Sequence, residues 1–152
     1  MNDIVISKAV KDDAAFIFSC VRNLAEDVNQ LDYMSSTKEM IENELFNHSC
    51  NSSVLVASQN DKKIGFILYY TTFSTFKGRK GLYIGDLYVI PEYRKEGVGK
   101  KLFQSVIDEA IENTFCRVEW YVTNSNENAI NFYENLGAKR LANKLLFSYE
   151  IE

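Results

Sequence analysis

Proline, histidine and cysteine are all scarce in this chain: one proline, one histidine and three cysteines among 152 residues. With a single proline, no low-complexity stretch and no internal repeat, nothing marks a linker, and one domain over residues 1–152 with a sizeable core is expected. Cys20, Cys50 and Cys116 are odd in number and widely spaced, which fits neither a disulfide framework nor a metal knuckle. Free thiols in a reducing cytoplasm, and no bound metal, are the expectation. The lone His48 sits in a polar run, Asn47 to Ser53, with no nucleophile motif beside it, and reads as exposed and uninvolved. No apolar run approaches the roughly 20 residues that span a bilayer. Asp3, Lys8 and Lys11 interrupt any signal-peptide pattern, so no membrane partner is expected. Positive charge is also short: the net charge is −4, which argues against nucleic acid as a partner and is compatible with a cationic substrate. What is present is a soluble globular balance, 46% apolar and 25% charged.

Ile4-Val5-Ile6 reads as a first strand. Ala14, Ile17, Phe18, Val21, Leu24, Ala25 and Val28 recur at spacings of three and four, an amphipathic helix with Asp12 or Asp13 as its cap. Ser36 and Glu39 have capping-box spacing for a second helix carrying Met40, Ile41, Leu45 and Phe46. Val54 to Ala57, a turn at Asn60-Asp61-Lys62, and Ile64 to Phe73 read as a hairpin, and Leu82 to Ile90 returns as the next strand. Val98, Leu102, Val106 and Ala110, with Phe103, Ile107 and Ile111 beside them, predict a helix from about Gly97 to Asn113. Arg117 to Thr123 is a strand, Asn126 to Leu136 a helix stopped by Gly137, and 139–141 and 145–151 two closing strands. The order is β-α-α-β-β-β-α-β-α-β-β: an α/β fold in which the segment from Leu82 to Thr123 is a β-α-β unit with parallel strands.

The chemistry concentrates where the strand ending at Ile90 meets the helix starting near Gly97. Pro91 stops the strand, and Arg94-Lys95-Glu96-Gly97-Val98-Gly99 leads directly into the helix. Backbone N–H groups of a helix N-terminus, glycines without a Cβ, and Arg94, Lys95, Lys100 and Lys101 suit a phosphorylated ligand. A P-loop is excluded, because Lys101 stands where Ser or Thr is needed. A dinucleotide fingerprint is excluded too, because Leu102 stands where a third glycine is needed. A plain glycine turn before a surface helix is the simpler alternative for this loop taken alone.

The second segment, Asn126-Glu127-Asn128-Ala129-Ile130-Asn131-Phe132-Tyr133-Glu134-Asn135-Leu136-Gly137, follows the strand expected to neighbour the loop strand. With both segments in hand the chain resembles the GNAT superfamily of acetyl-CoA-dependent N-acetyltransferases. The pattern is R-x-x-G-x-G after the fourth strand and N-x-x-A-x-x-F-Y-x-x-x-G after the fifth. The resemblance runs over essentially the whole chain and is nearest to the spermidine/spermine (diamine) N-acetyltransferase branch.

The resemblance implies a mixed central sheet with splayed parallel fourth and fifth strands, helices on both faces, acetyl-CoA as cosubstrate, a small primary amine as acceptor, direct transfer in a ternary complex, and a homodimer. It implies that Leu87, Tyr88 and Val89 carry the pantetheine arm, with the Leu87 N–H polarising the acetyl carbonyl. The pyrophosphate falls to Arg94 and the N–H groups of Lys95, Glu96, Gly97, Val98, Gly99 and Lys100. Asn126 and Ala129 hold the arm from the other side, although Asn126 also reads as a plain N-cap. Tyr133 is implied as the general acid. Where the diamine branch has a glutamate as base, this chain has Gly85, followed by Asp86. Simple alternation points Asp86 to the opposite face from position 85 unless a bulge rotates it back, so Asp86 stands as a base candidate. Gly85 lines the acceptor site, and Asp27, with Glu26 and Asp32 near it, is a candidate cation binder. A non-catalytic acyl-CoA-binding module and a protein N-terminal acetyltransferase are the alternatives.

Overall fold

The computed structural model describes residues 3–151. The chain divides into two compact units, one ending at Trp120 and one beginning at Tyr121. The first contains β1 (Val5–Lys8), α1 (Ala14–Asp27), α2 (Lys38–Leu45), β2 (Ser52–Gln59), β3 (Lys62–Ser74), β4 (Arg79–Val89), α3 (Val98–Glu112) and β5 (Val118–Glu119). Short 3-10 turns occur at Lys11–Asp13, Leu31–Tyr33 and Pro91–Tyr93. The second unit holds α4 (Glu127–Asn135).

The sheet runs β1-β2-β3-β4-β5, with antiparallel pairing throughout except for the parallel β4–β5 pair. The β2–β3 turn is the one expected: Asn60 and Asp61 both take positive φ, 51° and 62°, which matches the twist of a two-residue hairpin. The cap of α2 is Thr37 rather than Ser36. Thr37 has the extended backbone an N-cap needs, and its hydroxyl accepts from the Met40 N–H at 3.2 Å. Asp13 precedes α1, but its carboxylate turns back to accept from the Val10 N–H at 2.8 Å and to pair with Lys63.

Residues on β3 alternate between two apolar layers. Phe66, with Val54, Val56 and Tyr88, packs with Ile17 and Cys20 of α1, and Ile41 and Leu45 of α2 lie against the same cluster. On the opposite face Tyr69 donates its hydroxyl to Glu109 of α3, and Leu102 of α3 packs over Gly65. Helices therefore cover both faces of the sheet in this unit. Leu102 and Val106 are fully buried, which anchors α3 and with it the loop that leads into it.

The two closing strands expected over 139–141 and 145–151 do not form. A strand needs a neighbouring edge for its backbone groups, and among the described residues 139–151 take no part in a ladder. Instead the Lys144 N–H closes a turn onto the Leu141 carbonyl at 3.2 Å, and Leu145, Phe147, Tyr149 and Ile151 lie exposed.

Gly65 lets β3 and β4 approach beneath α3. A Cβ there would meet the Tyr88 carbonyl oxygen at 2.8 Å, and a backbone atom cannot move aside locally. Gly65→Ala is expected to destabilise the protein by about 1–3 kcal/mol, seen as a lower urea midpoint at unchanged slope.

Candidate active site

β4 carries most of the candidate residues, and its register is irregular where they lie. Leu68 of β3 faces Asp86, whereas the next residue, Tyr69, faces Ile84, so Gly85 is the extra residue of a β-bulge. The simple alternation expected from the sequence is overturned here. A Cβ on Gly85 would approach Leu68 and Tyr70, while Asp86 faces Leu68, whose side chain packs on the α1 layer. Positions 85 and 86 thus turn to one face. Tyr83 joins them there, its ring 5.3 Å from that of Tyr70. Asp86 is half-buried, and burial raises its carboxyl above the ordinary carboxylate range.

The parallel pairing of β4 with β5 is brief, Leu82↔Val118 and Tyr83↔Glu119. It is tight while it lasts, because a Cβ on Gly81 would sit 2.9 Å from the Arg117 carbonyl. Among the described residues, no strand pairs with this side of β4 from Ile84 to Val89. The Ile90 N–H donates to Ile64 at 2.9 Å. Antiparallel bonds alternate, so Leu87 and Val89 turn their backbone groups away from β3 and toward the unpaired side.

Beyond the Pro91–Tyr93 turn the backbone enters the left-handed region at Lys95 (φ 67°) and Gly97 (φ 85°). The first helical bond of α3 runs from the Lys101 N–H to the Gly97 carbonyl at 3.0 Å. The N–H groups of Val98, Gly99 and Lys100 therefore lack intrahelical acceptors and lie at the positive end of the helix dipole. The Val98 side chain is buried and holds this turn in place. A cradle of Cβ-free backbone with open N–H groups fits a pyrophosphate. Lys101 points elsewhere, its ammonium 3.4 Å from the Ile4 carbonyl.

Arg94 turns back toward α1. Its Nε donates to the Val89 carbonyl at 2.8 Å, its Nη2 to Asp27 Oδ2 at 3.0 Å, and its guanidinium carbon lies 5.1 Å from the centre of the Tyr88 ring. Asp27 is the last residue of α1 and Val28 its C-cap. An open depression of about 370 Å³ just beyond is lined by Glu26, Asn29, Leu31 and Asp32. Leu68 and Tyr70, which lie beside position 85 on β3, were not singled out as site residues by the sequence.

In the second unit Asn126 caps α4, its side-chain oxygen accepting from the Ala129 N–H at 3.2 Å. Tyr133 lies on α4 with its ring edge-on to Phe132 at 5.0 Å, and burial pushes its phenol up to about 12. Gly137 (φ 92°) ends the helix, letting the Ala138 N–H reach the Tyr133 carbonyl at 3.1 Å.

A mixed sheet with a brief parallel pair, an open-sided strand and a glycine loop at its carboxyl end defines an α/β protein. The acetyltransferase (GNAT) family model matches residues 20–138. Thialysine N-epsilon-acetyltransferase from Bos taurus is 31% identical over 149 residues, 93% of this chain and 87% of the relative. Spermidine/spermine N(1)-acetyltransferase-like protein 1 from Homo sapiens is 28% identical over 151 residues, 95% of this chain and 22% of the relative. The solved structure of a possible acetyltransferase from Clostridium difficile 630 superposes with TM-score 0.82 at 25% identity, covering 98% of each chain. The chain belongs to the GNAT acetyltransferase family. It is an N-acetyltransferase, an enzyme of acyl transfer to amines.

A Cβ at Gly97 would meet no atom within 4 Å, so the cost of a side chain there is conformational alone. Gly97→Ala is expected to lose about 1 kcal/mol of stability, read by urea unfolding.

Proposed function

We propose that the protein transfers the acetyl group of acetyl-CoA directly to the primary amine of a small acceptor, with both substrates held in one ternary complex. The observation that carries this reading is the bulge at Gly85, which sets positions 85 and 86 on one face of β4; the resemblance implies a base at position 85, and the shared face supports Asp86 in that role. The acceptor is a diamine-like or polyamine-like molecule or an amino-acid derivative with a terminal amine. The bovine relative, named for the N-epsilon of thialysine, supports the last of these.

Acetyl-CoA supplies the thioester, with its carbonyl as electrophile and its thiolate as leaving group. The Leu87 N–H donates to the acetyl oxygen as charge gathers there. The backbone of Tyr88 and Val89, with Asn126 and Ala129, holds the pantetheine arm, and the backbone from Lys95 to Lys100 holds the pyrophosphate. An alkylammonium with a pKa of about 10.4 is almost wholly charged at neutral pH, so a base must take its proton. Asp86, raised by burial, is a stronger base than an ordinary carboxylate. Tyr133, at about 12, keeps its proton at neutral pH and gives it to the departing sulfur. Glu26 and Asp32, lining the depression beyond α1, draw in the cationic acceptor.

Both units belong to one catalytic domain on this reading, which the family match across residues 20–138 supports. The homodimer belongs to the same proposal, supported by the exposed apolar side chains of 145–151. So does a cytoplasmic location, supported by the unbonded thiols of Cys20, Cys50 and Cys116.

Thiol release from acetyl-CoA over a panel of diamines, polyamines, lysine analogues and aminoglycosides tests the reading; silence across the panel defeats it. Tyr133→Phe is expected to lower kcat by about 10²–10⁴-fold while acetyl-CoA affinity, measured by calorimetry, barely changes. Asp86 works only when deprotonated, so kcat falls as pH drops through its raised pKa. That acid limb lies above the usual carboxylate value of about 4, and Asp86→Asn is expected to abolish it along with most of the turnover.

A further inference from the structure

We propose that Arg94 is a positioning residue that clamps the glycine loop to the end of α1, so that the Asp27 carboxylate, on a different element, supports coenzyme A binding. The proposal rests on the reading of that loop as the pyrophosphate site.

The geometry assigns Arg94 this part because its fork is already engaged. Nε is committed to the Val89 carbonyl and Nη2 to Asp27, and the guanidinium carbon lies 5.1 Å from the centre of the Tyr88 ring. The Val89 carbonyl lies on the unpaired side of β4, so Arg94 ties down the last backbone group of that strand before the chain turns into the loop. A guanidinium can make these bonds at once, whereas an ammonium is a single point charge without the planar fork.

Asp27 is placed against its own helix. The last turn of α1 carries Glu26 and Asp27 and no basic residue, although the helix C-terminus disfavours negative charge. Glu26 faces Arg22 within the helix at 3.8 Å, but Asp27 finds its cation 67 residues away in the sequence. The end of α1 therefore grips the loop through Asp27–Arg94, and Arg94 in turn holds the end of β4 at the Val89 carbonyl. The chain that leaves α1 at Val28 lines the acidic depression, so one clamp links the loop proposed for the cofactor to the segment proposed for the acceptor.

The sign of one experiment separates this role from simple charge attraction. Coenzyme A binding is measured by calorimetry for the wild type, Asp27→Asn, Arg94→Lys and the double variant, with thermal unfolding confirming that each is folded. Removing a negative charge near an anionic ligand should tighten binding by Coulomb attraction alone. The clamp predicts the reverse: each single variant binds about fivefold more weakly, the double variant no more weakly than either, and Asp27→Glu recovers part of the loss. Unchanged or tighter binding by Asp27→Asn overturns the proposal, as does full affinity in Arg94→Lys, which would mark Arg94 as a direct phosphate cation. A wild type that binds no coenzyme A overturns the cofactor reading itself, and the clamp with it.

Discussion

The site depends on one constraint: β4 is paired along its whole length on one side and only at its start on the other. β3 holds it from Arg79 to Val89, and among the described residues β5 pairs with it at Leu82 and Tyr83. A strand inside a domain that turns backbone N–H and C=O groups to an unpaired side must satisfy them in some other way. The protein meets part of that need itself, since Arg94 takes the Val89 carbonyl. What stays open, at Leu87 and beyond it at the first turn of α3, is a line of donors and acceptors suited to an extended chain ending in phosphates.

The bulge gives that open strand its chemistry. One extra residue changes which face a carboxylate occupies, and glycine is the residue that makes this cheap here, because a side chain at position 85 would press on Leu68 at 3.0 Å. This chain has no side chain at position 85, and the neighbouring Asp86, half-buried and raised by that burial, turns to the same face.

Much of the site was legible early because glycine and cap chemistry is local. Gly97, Gly99 and Asn126 announce a helix start through backbone requirements that few residues satisfy, and the Asn60-Asp61 turn announces a hairpin for the same reason. Boundaries and partners were less legible. Ser36 and Thr37 are both competent caps, and only the backbone path chose between them. The strands expected over 139–141 and 145–151 have the right composition, but a strand exists only where an edge receives it. The Asp27–Arg94 pair joins residues far apart in sequence, and nothing in either neighbourhood names the other.

The sequence by itself determined the fold class, the family and the glycine turn that starts α3, since each rests on short-range patterns whose physics is complete within a few residues. The tertiary structure alone decided the orientation of Asp86 and the direction of Arg94. Both follow from register: a strand's faces are set by the partner it pairs with, and a one-residue slip between β3 and β4 is invisible until the two strands lie side by side.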